Sequence, residues 1–537
     1  MAMNKNTSPP PKGSSKYEDI ISKSKRIRDK GYPFIYHLTT ETKKLGSITV
    51  KTLGEKNPNM TNKTVLLVGE TGAGKSTLVN TLVNFSMGVR FEDEVWFEMV
   101  EKDDRKQSES QTSDVIVYQI FDFKEKVLPY SLTIIDTPGY GHTEGIEHDV
   151  IVSDSLLHLV RSEGGVDEVN AVGLVVKAAE CRLSDRLSYI LNSVVSLFGK
   201  DLEKKIVALV TYSNGREPKN VLQALEDAQI KCAKDEKNQP VYFLFDNCQD
   251  EPRTDDVEDL KHMVEKTTMK GLQPFEKFLN QTGPQKLTKT RHVLTERIRL
   301  TSCVRNLEER INTVEKRQGE IRQHQETLKK YEEEMKKNEK FEIEVDEVYK
   351  DKQPISGGMW LMFLYDAALC CTVCEENCHY PGCTVAWSPN QCEVIKDGRC
   401  TSCTKKCPAS EHVKEKFIYV TKTRKVQKTL QEVKSIYDKF KTDSEKEASD
   451  LSGLQRKMEE LEEEKSRLLH EAYEHIVELE KHALNINSVS THVHLDFLIE
   501  KMQEKKDEEK VRKLKEFRKQ TDKGVLAALK YMFTGRK

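Results

Sequence analysis

Between residue 63 and about residue 283, short runs rich in Val, Ile and Leu alternate with stretches whose apolar residues recur at helical spacing. Short, wholly apolar runs suit strands buried on both faces, so the alternation predicts an α/β domain: a mostly parallel sheet with helices on both faces. Strands are expected at 64–68, 115–120, 132–136, 171–176, 206–211 and 241–245.

From Val293 the period changes to seven. Apolar residues stand at Val293, Leu300, Leu307, Val314, Ile321, Leu328 and Met335, with Val304 and Ile311 in the intervening seam, until Gln318, Gln325 and Glu332 loosen it. A second stripe runs through Val426, Leu430, Val433, Tyr437 and Phe440, then Leu451, Leu454, Met458, Leu461, Leu468, Ala472 and Leu479. Such stripes predict a long α-helical coiled coil. Two β-like runs, 341–348 and 417–420, flank a cysteine cluster between the helices. Helices of similar length around a compact insert predict an antiparallel hairpin with the cysteine module at its tip; a parallel coil between two chains would bury the same seams. The expected division is a polar lead-in at 1–62, the α/β domain at 63–283, helices at 284–340 and 425–487 around a ribbon and cysteine module at 341–424, and a basic helical tail at 488–537.

Composition changes this picture in three ways. The 86 Lys and Arg are balanced by 88 Asp and Glu, which argues against a nucleic-acid partner and for long helices dense in both signs. Residues 1–15 are polar and proline-rich, without the apolar core of a signal peptide, so a soluble, cytoplasmic protein is expected. The tail from Lys501 to Lys537 holds 13 Lys or Arg against 6 Asp or Glu. Such a helix either packs on its own protein, the favoured expectation, or docks on an anionic membrane surface or an acidic partner.

Gly69, Glu70, Thr71, Gly72, Ala73, Gly74, Lys75 and Ser76 spell GxxxxGKS between an expected strand and a helix that opens near Thr77. In that context the glycines let backbone amides curl around a β-phosphate, Lys75 reaches the β- and γ-phosphates, and the Ser76 hydroxyl is a Mg²⁺ ligand. Asp136, Thr137, Pro138 and Gly139 follow at the end of a hydrophobic strand. There Asp136 would hold Mg²⁺ through water and the Gly139 amide would sense the γ-phosphate. The polar stretch 102–113 offers hydroxyls to close over magnesium, with Thr112 the first choice and Ser108, Ser110 and Ser113 the alternatives.

GETGAGKST followed by DTPG resembles the septin-like branch of the GTPases, and especially the immunity-associated (AIG-type) GTPases, over residues 63–283. The whole chain also resembles large fish proteins that join such a domain to a coiled coil. The resemblance implies Mg²⁺ with GTP as cofactor and GTP hydrolysis to GDP and phosphate. It also implies homodimers formed face to face through this domain. Residues 182–186 resemble the family's Arg-Phe-Thr box, which nominates Arg182 as an arginine acting across that interface; a surface arginine paired with Asp185 is the alternative. Tyr140 stands where Ras-like enzymes carry a water-orienting Gln, so hydrolysis within one subunit should be slow. The base-reading segment is Thr211, Tyr212, Ser213 and Asn214 in place of Asn-Lys-x-Asp. Tyr212 would stack on a purine, Asn214 would read it less selectively than a carboxylate unless it caps the next loop instead, and Asn247 matches an AIG-type base contact.

Nine of the 13 cysteines fall between Cys370 and Cys407. Cys371, Cys374, Cys378 and Cys383 repeat the spacing of Cys400, Cys403, Cys407 and His412, and four soft ligands opening on Cys-x-x-Cys suit tetrahedral Zn²⁺. Two structural zinc ions are expected, one per half-repeat, with ligand exchange between halves open and His379, Cys370 and Cys392 in reserve. The function expected from all of this is slow GTP hydrolysis completed by dimerisation and coupled to the coiled-coil arm. The rival is a nucleotide-stabilised scaffold whose coil or zinc module binds a protein partner.

Overall fold

The computed structural model describes residues 14–519 except 29–30, 46–47, 101–114, 125, 141–145, 163, 180–182, 252–257, 331–341, 356–366, 381–382, 384–387, 430, 437–451 and 486–488. The chain divides into two compact units. One runs up to Leu294 and includes His482–His492; the other comprises Thr295–Lys481 and Val493–Arg518.

The first unit is built on eight strands: β1 (Glu41–Leu45), β2 (Ile48–Leu53), β3 (Asn62–Gly69), β4 (Ile116–Ile120), β5 (Ser131–Asp136), β6 (Ala171–Lys177), β7 (Ile206–Thr211) and β8 (Tyr242–Leu244). Their order is β8-β7-β6-β3-β5-β4-β2-β1. Only β4–β5 and β1–β2 pair antiparallel, so the sheet is mixed. Every residue of β5 and β7 is buried, as expected for central strands of an α/β fold. The domain starts earlier than residue 63. In β2, buried Ile48, Val50 and Leu53 share the strand with half-buried Thr49, Lys51 and Thr52, and β1 is an exposed, lysine-bearing edge. Charged edge strands resist edge-to-edge pairing, and the same charges make the segment read as a polar lead-in.

Helix α1 (Lys75–Met87) follows β3 and buries Leu78, Val79, Leu82 and Val83 in the core. Helices α2 (Ile146–Arg161), α3 (Asp185–Val195) and α4 (Lys219–Asp227) complete the α/β alternation. Helix α5 (Glu258–Gln281) presses against β8 so closely that a Cβ on Gly271 would lie 1.7 Å from the Leu244 carbonyl oxygen.

In the second unit, α6 (Thr288–Lys330, from Thr295 on) meets α7 (Ser452–His482). Glu296 pairs with His475 at 2.7 Å and Cys303 Sγ lies 3.8 Å from the Leu468 carbonyl, a register that runs antiparallel. Leu300, Val304 and Leu307 are buried on one helix, and Leu468, Ala472, Ile476 and Leu479 on the other. Residues Glu332, Met335, Leu430, Tyr437, Phe440 and Leu451 of the expected seams lie outside the described residues.

Strands β9 (Glu342–Pro354) and β13 (Phe417–Thr429) pair antiparallel, Glu342 opposite Thr429 and Pro354 opposite Phe417. Between them lie β10 (Ala368–Cys371), β11 (Glu376–His379) and β12 (His412–Glu415); β10 is the centre of a three-stranded sheet. The ribbon crosses the boundary expected at residue 424, and Val426, assigned above to the second helical seam, pairs with Val345 in the ribbon instead. Residues 422–425 are exposed in succession, so this half of the strand carries no alternation of apolar and polar positions to read. Nor is the cysteine module at a hairpin tip. It docks on α6 through Glu376, which takes hydrogen bonds from Asn306 (3.2 Å), Arg310 (2.8 Å) and the Thr404 amide (2.9 Å), while Lys406 reaches Glu471 of α7 at 2.8 Å. Asn306 and Arg310 stand off the heptad seam, so hydrophobic periodicity could not announce this contact.

The described part of the tail forms α8 (Val489–Glu504) and α9 (Glu508–Lys519). These bury Leu495, Leu498, Ile499 and Met502, and Val511, Leu514 and Phe517, against their own chain. No described helix is long and apolar enough to cross a membrane.

Gly271→Ala should cost the first unit about 1–3 kcal/mol through overpacking, lowering its melting temperature by about 2–4 °C per kcal/mol. Thermal denaturation followed by circular dichroism checks this.

Candidate functional site

The loop from Gly69 to Gly74 turns the end of β3 into the start of α1. Gly72 and Gly74 hold φ of 75° and 88°, a backbone conformation that glycine adopts without steric cost. A Cβ on Gly69 would sit 2.4 Å from the Val175 carbonyl of β6. The loop is therefore a cradle of backbone, narrow enough that side chains are excluded. Lys75 lies buried within it, its ammonium donating to the carbonyls of Gly69 at 3.2 Å and Glu70 at 3.0 Å. Burial pulls its pKa down to about 8, opposed by the negative charges of Asp136 and Glu70.

The second motif closes on the first. Ser76 Oγ donates to Asp136 Oδ2 at 2.7 Å across 60 positions of sequence, and Thr137 Oγ1 donates to the Leu67 carbonyl at 2.9 Å. A Cβ on Gly139 would fall 2.4 Å from Thr71 Cα, so this approach needs glycine. Tyr140, buried, continues the contact: its amide donates to Gly69 O at 3.1 Å and its carbonyl accepts from the Thr71 amide at 3.3 Å. A hydroxyl and a carboxylate in contact beside an amide-lined cradle and a buried ammonium form a donor set that fits Mg²⁺ and a polyphosphate.

On the other side of the loop, Thr211 Oγ1 donates to the Ala73 carbonyl at 2.7 Å and ties the end of β7 to the cradle. Tyr212, with φ 52°, is 54% exposed, and its ring edge lies 3.6 Å from where a Gly74 Cβ would stand. Asn214 Oδ1 accepts from the Arg216 amide at 3.1 Å, a turn within its own loop. Asn247 is buried at φ 63°; its Oδ1 accepts from Thr81 of α1 at 3.0 Å, while Nδ2 is buried with no protein partner. Residues 69–77, Asp136, Gly139, Thr211, Tyr212 and Asn247 thus converge. Asn214 faces its own loop, and Thr112 and Arg182 lie outside the described residues.

Two cations beside the loop were not anticipated. Arg186 pairs with Glu70 at 3.0 Å, held by α3, whose N-terminus Ser184 caps by accepting from the Leu187 amide. Lys177 ends β6 with Nζ 3.9 Å from the position of a Gly72 Cβ, so Lys75 is not the sole ammonium near the cradle. Its place at the carboxyl end of the strand beside β3, where open α/β sheets bind ligands, was the signal in the sequence.

In the second unit the cysteines gather, but not by half-repeat. Cys371 and Cys374 join Cys403 and Cys407, whereas Cys378 joins Cys400, Cys403 and His412; Cys383 leaves the first half-repeat for a third group with His379 and Cys392. The paired halves exchange ligands because β10 and β12 bring the two ends of the module together. Cys371 lies opposite His412 in that pairing. Cys370 belongs to none of these groups and points to the Phe417 carbonyl at 3.6 Å. Cys374 and Cys407 sulfurs are 3.7 Å apart, too far for a disulfide and the spacing of two thiolates on one tetrahedral ion. His412 donates from Nδ1 to the Pro408 carbonyl at 2.9 Å, which leaves Nε2, buried and without a hydrogen-bond partner, with its lone pair among the sulfurs. The donor sets fit zinc.

The Septin family model matches residues 59–150, the stretch that carries both phosphate-side motifs. No curated protein matches the chain. Among solved structures, the Toc33 protein of Arabidopsis thaliana with Mg²⁺ and GMPPNP is similar at 17% identity and a TM-score of 0.26, over 42% of this chain and 88% of that one. A structure described as showing that dimerization is important for the GTPase activity of the chloroplast translocon components atToc33 and psToc159 is similar at 15% identity and a TM-score of 0.28, over 43% and 87%. The elongation factor SelB of Methanococcus maripaludis gives 14% and 0.20, over 42% and 35%. The first unit has a P-loop G-domain fold, similar over residues 59–150 to the septins.

Lys75→Ala removes charge-assisted hydrogen bonds worth about 1.5–3 kcal/mol. It should weaken GTP binding by about 10–150-fold, as read by titration calorimetry.

Proposed function

We propose that this protein binds Mg²⁺·GTP in its first unit and hydrolyses it slowly to GDP and phosphate, the site being completed when two such units pair. The observation that carries the reading is the Ser76–Asp136 contact at 2.7 Å, which joins the phosphate loop to the DTPG segment. Magnesium, bound there with the nucleotide, would supply charge neutralisation of the β- and γ-phosphates. Ser76 and Asp136 then hold the metal side, Lys75 neutralises the phosphates, and Gly139 presents its amide to the terminal one. Tyr212 offers an exposed ring for stacking on the base. Buried Asn247, whose amide has one hydrogen-bonding atom without a protein partner, is the second candidate for a contact to the base.

Slow turnover by one subunit follows from Tyr140. Its side chain is buried and its backbone is tied to Gly69 and Thr71, so it does not stand in for a water-orienting Gln. A group from a second copy, with Arg182 the nominee, would then raise the rate. The reading extends to a helical arm that responds to the nucleotide, two or more structural zinc ions in the cysteine module, a protein partner for the arm or module, and a cytoplasmic location. Packing of Val511, Leu514 and Phe517 favours a tail devoted to its own chain over one devoted to a membrane.

Single-turnover hydrolysis at rising protein concentration tests the proposal. The rate constant should climb and then saturate as dimers form, and Arg182→Ala should flatten the climb while leaving nucleotide affinity unchanged. A rate constant independent of concentration would support the scaffold reading instead.

A further inference from the structure

The ligand groups of the cysteine module do not divide into two closed tetrahedra. Two four-coordinate ions need eight ligand positions. The first two groups supply seven side chains, because Cys403 belongs to both: its Sγ lies within 4.8 Å of the donor atoms of Cys371, Cys374 and Cys407 and also of Cys378, Cys400 and His412. A thiolate has lone pairs enough for two cations, so a shared sulfur closes both sites where an unshared one would leave one of them with three protein ligands.

The backbone is arranged for such sulfurs. Amides of Ser402 and Cys403 both donate to Cys400 Sγ at 3.3 Å, the Cys407 amide donates to Cys403 Sγ at 3.2 Å, and the Cys374 amide donates to Cys371 Sγ at 3.3 Å. Hydrogen bonds of this kind offset the negative charge that six thiolates around two divalent ions would leave buried.

The third group is separate by construction. Cys378 and His379 are successive residues of β11, so their side chains leave opposite faces of the strand and serve different centres. On the His379 side, Nδ1 lies 3.1 Å from Cys392 Sγ, and Cys392 lies 3.9 Å from Cys383 Sγ. The Glu393 carboxylate stands 3.8 Å from the same ring nitrogen but is not within 4.8 Å of both sulfurs as well, so it neighbours the group and is not one of its ligands. All three sulfur and nitrogen ligands are buried.

We infer that the module holds three zinc ions: a dinuclear pair bridged by the Cys403 thiolate, and a third ion on His379, Cys383 and Cys392. This deepens, and rests on, the zinc reading proposed above. Elemental analysis of the purified full-length chain should give three zinc per chain. Two would overturn the third site while leaving the zinc reading intact, and none would overturn both.

The bridge is tested separately in the full-length chain loaded with Co²⁺. Two high-spin ions joined by a thiolate couple antiferromagnetically, so low-temperature electron paramagnetic resonance should show only the signal of the third, isolated ion. Signal from all bound cobalt would overturn the bridge. Cys403→Ser should lose two ions and Cys383→Ser one; a Cys403→Ser protein that keeps two zinc would contradict the bridge, and the cobalt spectrum of the unsubstituted protein decides the matter if that variant does not fold.

Discussion

The first unit depends on bringing a buried lysine to the end of a buried strand without leaving its charge unanswered. Burying an ammonium is costly, and Lys75 is held by two loop carbonyls with Asp136 and Glu70 as counter-charges. That requirement fixes much else. β3 must lie between β5, which delivers Asp136, and β6, whose Val175 carbonyl crowds Gly69. Gly139 must be glycine for the DTPG segment to reach Thr71, and Thr211 must reach Ala73 to tie the end of β7 to the same loop.

The second unit solves a different problem, that of attaching a small module with little apolar core to a helix. Its interior is largely cysteine, so the attachment falls to a polar contact. Glu376, buried, is answered by Arg310, Asn306 and the Thr404 amide. A buried pair of this kind is destabilising if either partner is removed, which makes it a device for setting position. It also links the module's β11, the strand that carries Cys378 and His379, to the same helix that packs antiparallel on α7.

The sequence spoke clearly where a residue type can do only one thing. GxxxxGKS and DTPG located the phosphate side, and the strands 132–136 and 206–211 were readable because they are largely apolar, with the polar Asp136 and Thr211 only at their ends beside the site. Strand β1, at the edge, and its neighbour β2 were missed because their lysines and threonines imitate a polar linker. The ribbon was cut short for the same reason, residues 422–425 being exposed in succession. The cysteine repeat revealed metal-like spacing but not partnership, since a repeat in sequence says nothing of which halves meet once β10 pairs with β12. Lys177 carried no motif, and the 182–186 box singled out Arg182 and not Arg186; the packing of β6 and α3 brings Lys177 and Arg186 to the loop.

The central claim is that Ser76 and Asp136 meet in order to hold magnesium against a nucleotide on the phosphate loop. Titration of the full-length protein with GTP, with Mg²⁺ and again in excess chelator, tests it most directly. The account predicts one nucleotide per chain and an affinity that falls by at least about tenfold without Mg²⁺, about 1.4 kcal/mol. Equal affinity under the two conditions, or no binding under either, would contradict it.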